Sequence, residues 1–183
     1  MEEQENPMEA KERLEELAEY SGEWVRYLSI STALIAVLAA IASLLSGNYA
    51  NTALVDKNNA ILSQSKASDQ WNYYQSKGIK KNIDEGFFAQ SAAPALKAEI
   101  DKYTGQQADI QKMAQDFEAQ AEQSNNHSET MLEKHHKAAI SVTFFQIAIA
   151  LSAMAALVRR RWLWHFSLTG AAAAAAYLLW ALR

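Results

Sequence analysis

The sequence predicts an all-α protein with three transmembrane helices and a long extramembrane antiparallel hairpin, coiled-coil-like and continuous with the first two spans. Three observations carry that prediction. Apolar residues make up half of the 183, and they dominate three blocks: Tyr27–Leu45, Ala139–Val158 and Trp162–Leu182. No block contains Asp, Glu, Lys or Arg. The segment between the first two blocks, residues 46–138, is polar and carries a seven-residue repeat. Mean hydropathy over the whole chain is slightly negative, which alone would suggest a soluble protein. A core shared among all elements would not segregate its residues in this way, so the blocks and the insert are read separately.

Residues 1–26 form an acidic tail. Nine Glu face only Lys11 and Arg13 before Trp24, the reverse of the basic start that a secretory leader needs. A short amphipathic helix is expected around Leu14, Leu17 and Ala18, ending at Gly22, with Met1–Pro7 disordered. The first span, 27–45, is therefore expected to stay as an anchor. Crossing ~30 Å of hydrocarbon takes ~20 residues at 1.5 Å each, and every block is about that long.

The insert, 46–138, reads as two helices joined near Gly86–Pro94. They would run about 50 Å from Tyr49 to Ile83 and about 65 Å from Ala95 to Ala138. On the return helix, large residues recur every seven positions at Leu96, Tyr103, Ile110, Phe117 and Met131, with Ser124 breaking the series. A second row holds Ile100, Gln107, Ala114, Ala121, Ser128 and His135. Together the rows give the four-three spacing of a coiled-coil seam. The outgoing helix has a weaker stripe through Ala53/Leu54, Ala60/Ile61, Ala67/Ser68, Trp71 and Tyr74. A seam so thin in large residues predicts hairpins that pack against neighbouring copies. Asn125-Asn126-His127 marks a possible local break.

The second span, 139–158, and the third, 162–182, are separated only by Arg159, Arg160 and Arg161. Three arginines in a short turn place it in the cytoplasm by the positive-inside rule. The N-terminus shares that side and the insert faces the opposite one. Trp24, Tyr27, Trp162 and Trp164 fit one interfacial belt, and Tyr49, Tyr177 and Trp180 the other. Small residues at four-residue spacing (Ala39, Ser43, Gly47; Ala148, Ser152, Ala156; Gly170 and the six alanines after it) suit close helix packing in lipid, within a protomer or between protomers.

The stretches SISTALIAVLAAIASLLSGNYA (Ser29–Ala50), ASDQWNYYQSKGIK (Ala67–Lys80) and RRRWLW (Arg159–Trp164) resemble a bacterial family catalogued as domain of unknown function 4337. The resemblance covers nearly the whole chain apart from the acidic tail. It implies a multi-pass inner-membrane protein and brings no activity, cofactor or catalytic residue with it.

Candidate chemistry is sparse. Without cysteine there are no disulfides or thiolate metal sites. Glu129, Glu133 and His136 echo the carboxylate–histidine spacing of helical di-metal sites, with Asp56 as the nearest extra carboxylate; a hydrated juxtamembrane segment is the plainer reading, and no metal or other cofactor is expected. Trp71, Asn72, Tyr74 and Gln75, with Tyr73, form either a binding patch or packing against the opposite helix near Phe117. Gln146 is the deepest intramembrane amide and suits a hydrogen bond to a neighbouring helix. There is no intramembrane Asp or Glu, nucleophile–base pair, phosphate loop or nucleic-acid module. The function expected is a non-enzymatic scaffold whose partners are the lipid bilayer, copies of itself and an envelope protein. The alternatives are a homo-oligomeric channel or a membrane sensor with a ligand on the hairpin.

Overall fold

The computed structural model describes residues 7–182, and side chains from residue 22 onward. Three helices account for nearly all of it, and there is no strand among the described residues: α1 (Pro7–Ser91), α2 (Pro94–Val158) and α3 (Arg161–Ala181). By length and composition, α1 and α2 are each long and apolar enough to cross a membrane. At 21 residues α3 has sufficient length. Its glycine, alanines, indoles and imidazole dilute its apolarity.

The helix breaks follow from backbone chemistry. Pro94 opens α2, where its missing N–H costs nothing, and proline disfavours helical backbone in the residue before it. The break therefore falls at Ala92–Ala93, and Gly86 stays inside α1 because a lone glycine costs only about 1 kcal/mol there. Gly22 likewise does not end a helix; α1 runs through it. The expected disorder before Pro7 lies outside the described residues, as do the side chains of Leu14, Leu17 and Ala18. The expected break at Asn125-Asn126-His127 is absent, since α2 is helical throughout. Two of these side chains are engaged instead: Asn125 donates to Glu129 Oε1 (3.0 Å) and accepts from Lys57, and His127 Nδ1 lies 2.7 Å from Asp56 Oδ2.

At the other break, Arg160 N–H donates to Ala155 O (3.3 Å) across Arg159, whose φ is 52°. This six-to-one bond over a left-handed residue is the Schellman closure, with arginine where glycine usually sits.

The chain divides into two compact units. Residues 50–132 form one. Two bonds set its register: Ser128 Oγ donates to Ala53 O (2.8 Å), and Gln107 Nε2 to Tyr74 O (3.3 Å). From Ala53 to Tyr74 and from Ser128 back to Gln107 is 21 residues in each helix (74 − 53 = 128 − 107 = 21), so the segments run antiparallel without slippage. That register sets Ala60 level with Ala121 and Ala67 level with Ala114. All four are buried, Ala67 and Ala114 completely. Gly78 makes room for the Gln107 amide, since a Cβ there would stand 2.9 Å from Nε2.

The second unit comprises residues 1–49 and 133–183. Its core joins Ile35 and Ala42 of α1, Ala138, Phe145 and Ala148 of α2, and Ala171, Ala174 and Leu178 of α3. A smaller cluster of Trp24, Leu28 and Ala155 lies against Leu163 and Trp164. On α2 the buried residues follow three-four spacing through Ala138, Ser141, Phe145, Ala148, Ser152 and Ala155. That is the spacing of helices crossing at a shallow angle.

Ala92 has φ 50° and caps α1 through its N–H to Phe88 O (2.8 Å). A left-handed alanine is strained by about 1–2 kcal/mol, partly offset by the chain freedom a glycine adds to the unfolded state. Ala92→Gly is expected to raise stability by roughly 0.5–1 kcal/mol in thermal or denaturant unfolding. A lowered midpoint would contradict this conformation at Ala92.

Candidate functional site

Between residues 50 and 132 the contact is built around small residues. The predicted seam lies between α1 and α2, where Ile110 is buried and Leu96, Ile100, Tyr103, Phe117 and Met131 are half-buried. The sequence predicted this seam between the hairpin's own two helices and, because it is thin in large residues, added packing against neighbouring copies. In the structure two segments of one chain fill it, because the alanine row of α1 offers almost no side chain to hold the backbones apart. The long polar side chains then reach across the edges. Asp56 meets His127, Lys57 meets Asn125, and Trp71 Nε1 donates to Glu118 Oε1 at 2.8 Å. Lys66 lies over the Phe117 ring (5.5 Å), and Lys77 over both Tyr73 and Tyr103 (5.0 and 5.4 Å).

The aromatic patch divides. Trp71 and Tyr74 are half-buried and meet edge to face at 5.6 Å. Tyr74 stands level with Gln107 while Phe117 lies beside Lys66, so Trp71 reaches α2 through its bond to Glu118 and not by packing on Phe117 as expected. Asn72, Tyr73 and Gln75 are exposed. A separate open groove of about 410 Å³ lies over the alanine contact. Lys57, Ile61 and Gln64 line it from α1, and Glu118, Glu122 and Asn125 from α2. Nothing in the sequence singled out this groove, because it exists only once Ala60 and Ala121 lie side by side.

The candidate metal set is dispersed. Asp56 pairs with His127, and Glu129 accepts from Asn125. Glu133 pairs with Lys137 at 2.7 Å, and among the described residues no group of three His, Asp or Glu could hold a metal ion. The Lys137 hydrogen bond and then its charge hold the Glu133 carboxyl below its usual range. This pair favours the folded state above the ordinary carboxylate range, and the contribution fades as pH falls through the lowered value. His135 contacts Ser46, its Nδ1 being 2.9 Å from both Oγ and the backbone O.

In the unit containing residues 1–49 and 133–183, the buried serine hydroxyls are paired in short links. Ser167 Oγ donates to Ala148 O (2.6 Å) and lies 2.8 Å from Ser152 Oγ, while Trp164 Nε1 donates to Ser31 Oγ (3.0 Å). Of the small-residue faces, Ala148 and Ser152 are buried and Ala156 is half-buried, so they serve packing within the chain. Ser43 and Gly47 remain exposed. Gln146 is also exposed and has no hydrogen-bond partner among the described residues.

These features define an all-helical protein with two helices apolar and long enough to cross a membrane, assembled on small-residue contacts. The profile of the family described as domain of unknown function (DUF4337) matches residues 24–183, and the chain belongs to that family. No curated protein and no solved structure matches the chain.

The alanine contact leaves no space for larger side chains. Ala67→Leu is expected to destabilise residues 50–132 by about 1–3 kcal/mol through overpacking, read as earlier protease cleavage and loss of helicity on heating. Gln64→Leu, on the exposed groove wall, is the control and should change stability by no more than about 0.5 kcal/mol.

Proposed function

We propose that this protein is a non-enzymatic, multi-pass scaffold of the bacterial inner membrane that associates with copies of itself. In this reading residues 27–45, 139–158 and 162–182 span the bilayer. The Arg159–Arg161 turn is cytoplasmic, and residues 46–138 form a periplasmic hairpin. Supporting it are the uncharged blocks, the two long apolar helices and the arginine-rich turn.

Self-association rests on Gln146. An amide with both donor and acceptor unpaired, on the outward face of an apolar helix, is costly in hydrocarbon and finds its partners on another helix. The serines nearer the core already bond to each other and to backbone, so they are not available to it. Exposed Ser43 and Gly47 offer a place where a second copy approaches closely. The seam containing Ile110 is closed within the chain, so association uses outward faces.

Mass measurement in mild detergent and in nanodiscs tests this reading. The native chain is expected to form a defined oligomer, and Gln146→Leu to weaken association by roughly three- to tenfold. A monomer at every concentration would sink the proposal. Ion flux through reconstituted vesicles would instead favour a ring of copies around a pore. Because the chain has no cysteine, single thiols report topology cleanly. An impermeant reagent applied to spheroplasts should label Gln64→Cys and leave Arg159→Cys unlabelled; the reverse pattern would invert the orientation.

A further inference from the structure

A cavity of about 180 Å³ lies beside the start of α3, walled by Glu23, Trp24, Tyr27, Arg161 and Trp164. All five residues belong to the unit formed by residues 1–49 and 133–183. We propose that it holds the headgroup of an aminophospholipid, with the phosphate at Arg161 and the ammonium between Glu23 and the aromatic faces. The proposal rests on the membrane reading above, in which these residues stand at the level of the cytoplasmic headgroups.

Four observations converge on a ligand that is both anionic and cationic. Trp24 is only 9% exposed, and its indole N–H has no acceptor among the described residues. Among the described residues, Gln106 Oε1 is the only other buried side-chain N or O atom in that condition. A buried donor without an acceptor is costly; as the ring stands this N–H is closed off from the cavity, and a small turn of the indole would bring it to a phosphate oxygen there. The other indole in the wall does not share this need, because Trp164 Nε1 already donates to Ser31.

Second, α3 begins at Arg161 with Arg160 in the capping position and no side-chain cap. Its first backbone N–H groups and the positive end of its dipole therefore favour an anion. Third, the Arg161 guanidinium lies 6.0 Å from the centre of the Trp24 ring, so charge and indole flank the same space. Its five N–H donors let it serve a phosphate beside the contacts it already makes.

The fourth observation is Glu23. A site for a simple anion would be weakened by a carboxylate in its wall. Three aromatic rings and a carboxylate are the chemistry that holds an organic ammonium. Phosphate and amine joined by a short linker meet both demands, whereas phosphatidylglycerol meets only the first. The wall is also firmly placed, since Trp24 packs with Leu28 and Ala155, backed by Leu163 and Trp164.

Lipid retention by the full chain, read by native mass spectrometry after exchange among phosphatidylethanolamine, phosphatidylglycerol and phosphatidylcholine, tests the site. Phosphatidylethanolamine is expected to be retained about tenfold over phosphatidylglycerol. Glu23→Gln should erase that preference while leaving phosphatidylglycerol binding in place. Trp24→Phe, which keeps a ring and removes the N–H, should lower retention of both lipids several-fold, as should Arg161→Gln. Soluble glycerophosphoethanolamine should displace the lipid. Displacement by inorganic phosphate at equal concentration would assign the cavity to a free anion and overturn the proposal, as would equal retention of all headgroups by the native chain. Flotation of the chain with vesicles separates the two readings. A chain that floats without headgroup preference refutes the site alone, and one that stays in the aqueous fraction refutes the membrane reading as well.

Discussion

How closely two helices can approach is set by what stands between their backbones, and this chain places alanine and serine there at regular intervals. Between residues 50 and 132 the series is Ala53, Ala60 and Ala67 against Ser128, Ala121 and Ala114. Each pair buries little apolar area, so close contact and dispersion must replace the large side chains of an ordinary core. Such a contact has a narrow tolerance. Side chains larger than alanine force the backbones apart, and the polar bonds along the edges, Ser128 to Ala53 and Gln107 to Tyr74, lose their geometry with them.

The same economy governs residues 1–49 and 133–183, where the fully buried side chains include Phe145 and three serines, Ser141, Ser152 and Ser167. On the proposed membrane reading the hydrophobic effect gives no reason for one apolar helix to prefer another, so packing and short hydrogen bonds would hold them. Ser167 bonded to Ala148 O and facing Ser152 supplies both in one place. The large apolar residues, Leu34, Leu44, Leu157, Phe166 and Leu179 among them, are exposed. That arrangement would be a liability in water and is the expected one in a bilayer.

Much of this was legible in the residue order. The three helices, the turn at Arg159–Arg160 and the break just before Pro94 follow from apolar blocks and proline chemistry. The two rows from Leu96 to His135 mark the contacting face of α2. Less legible was the partner of that face. A row poor in large residues suggested that the hairpin needs further packing from a second chain, because the stabilisation available from alanine contacts depends on distance, which a linear pattern does not contain. Asn125, Asn126 and His127 suggested a break for a similar reason. Their poor helix propensity is local, whereas Lys57 and Asp56, which engage Asn125 and His127, come from the facing helix.

By itself, then, the sequence determined the helical class, the apolar blocks, the positions of the turns and the periodicity of the contact faces. Each depends on neighbours within a turn or two along the chain. Tertiary structure decided that Ala60 and Ala121 stand level, that Gln146 faces outward while Ser152 faces inward, and that Glu23, Trp24 and Arg161 wall one cavity. Those outcomes depend on the rotation and register of helices brought together from distant parts of the chain, set by which side chains are small enough to let backbones meet.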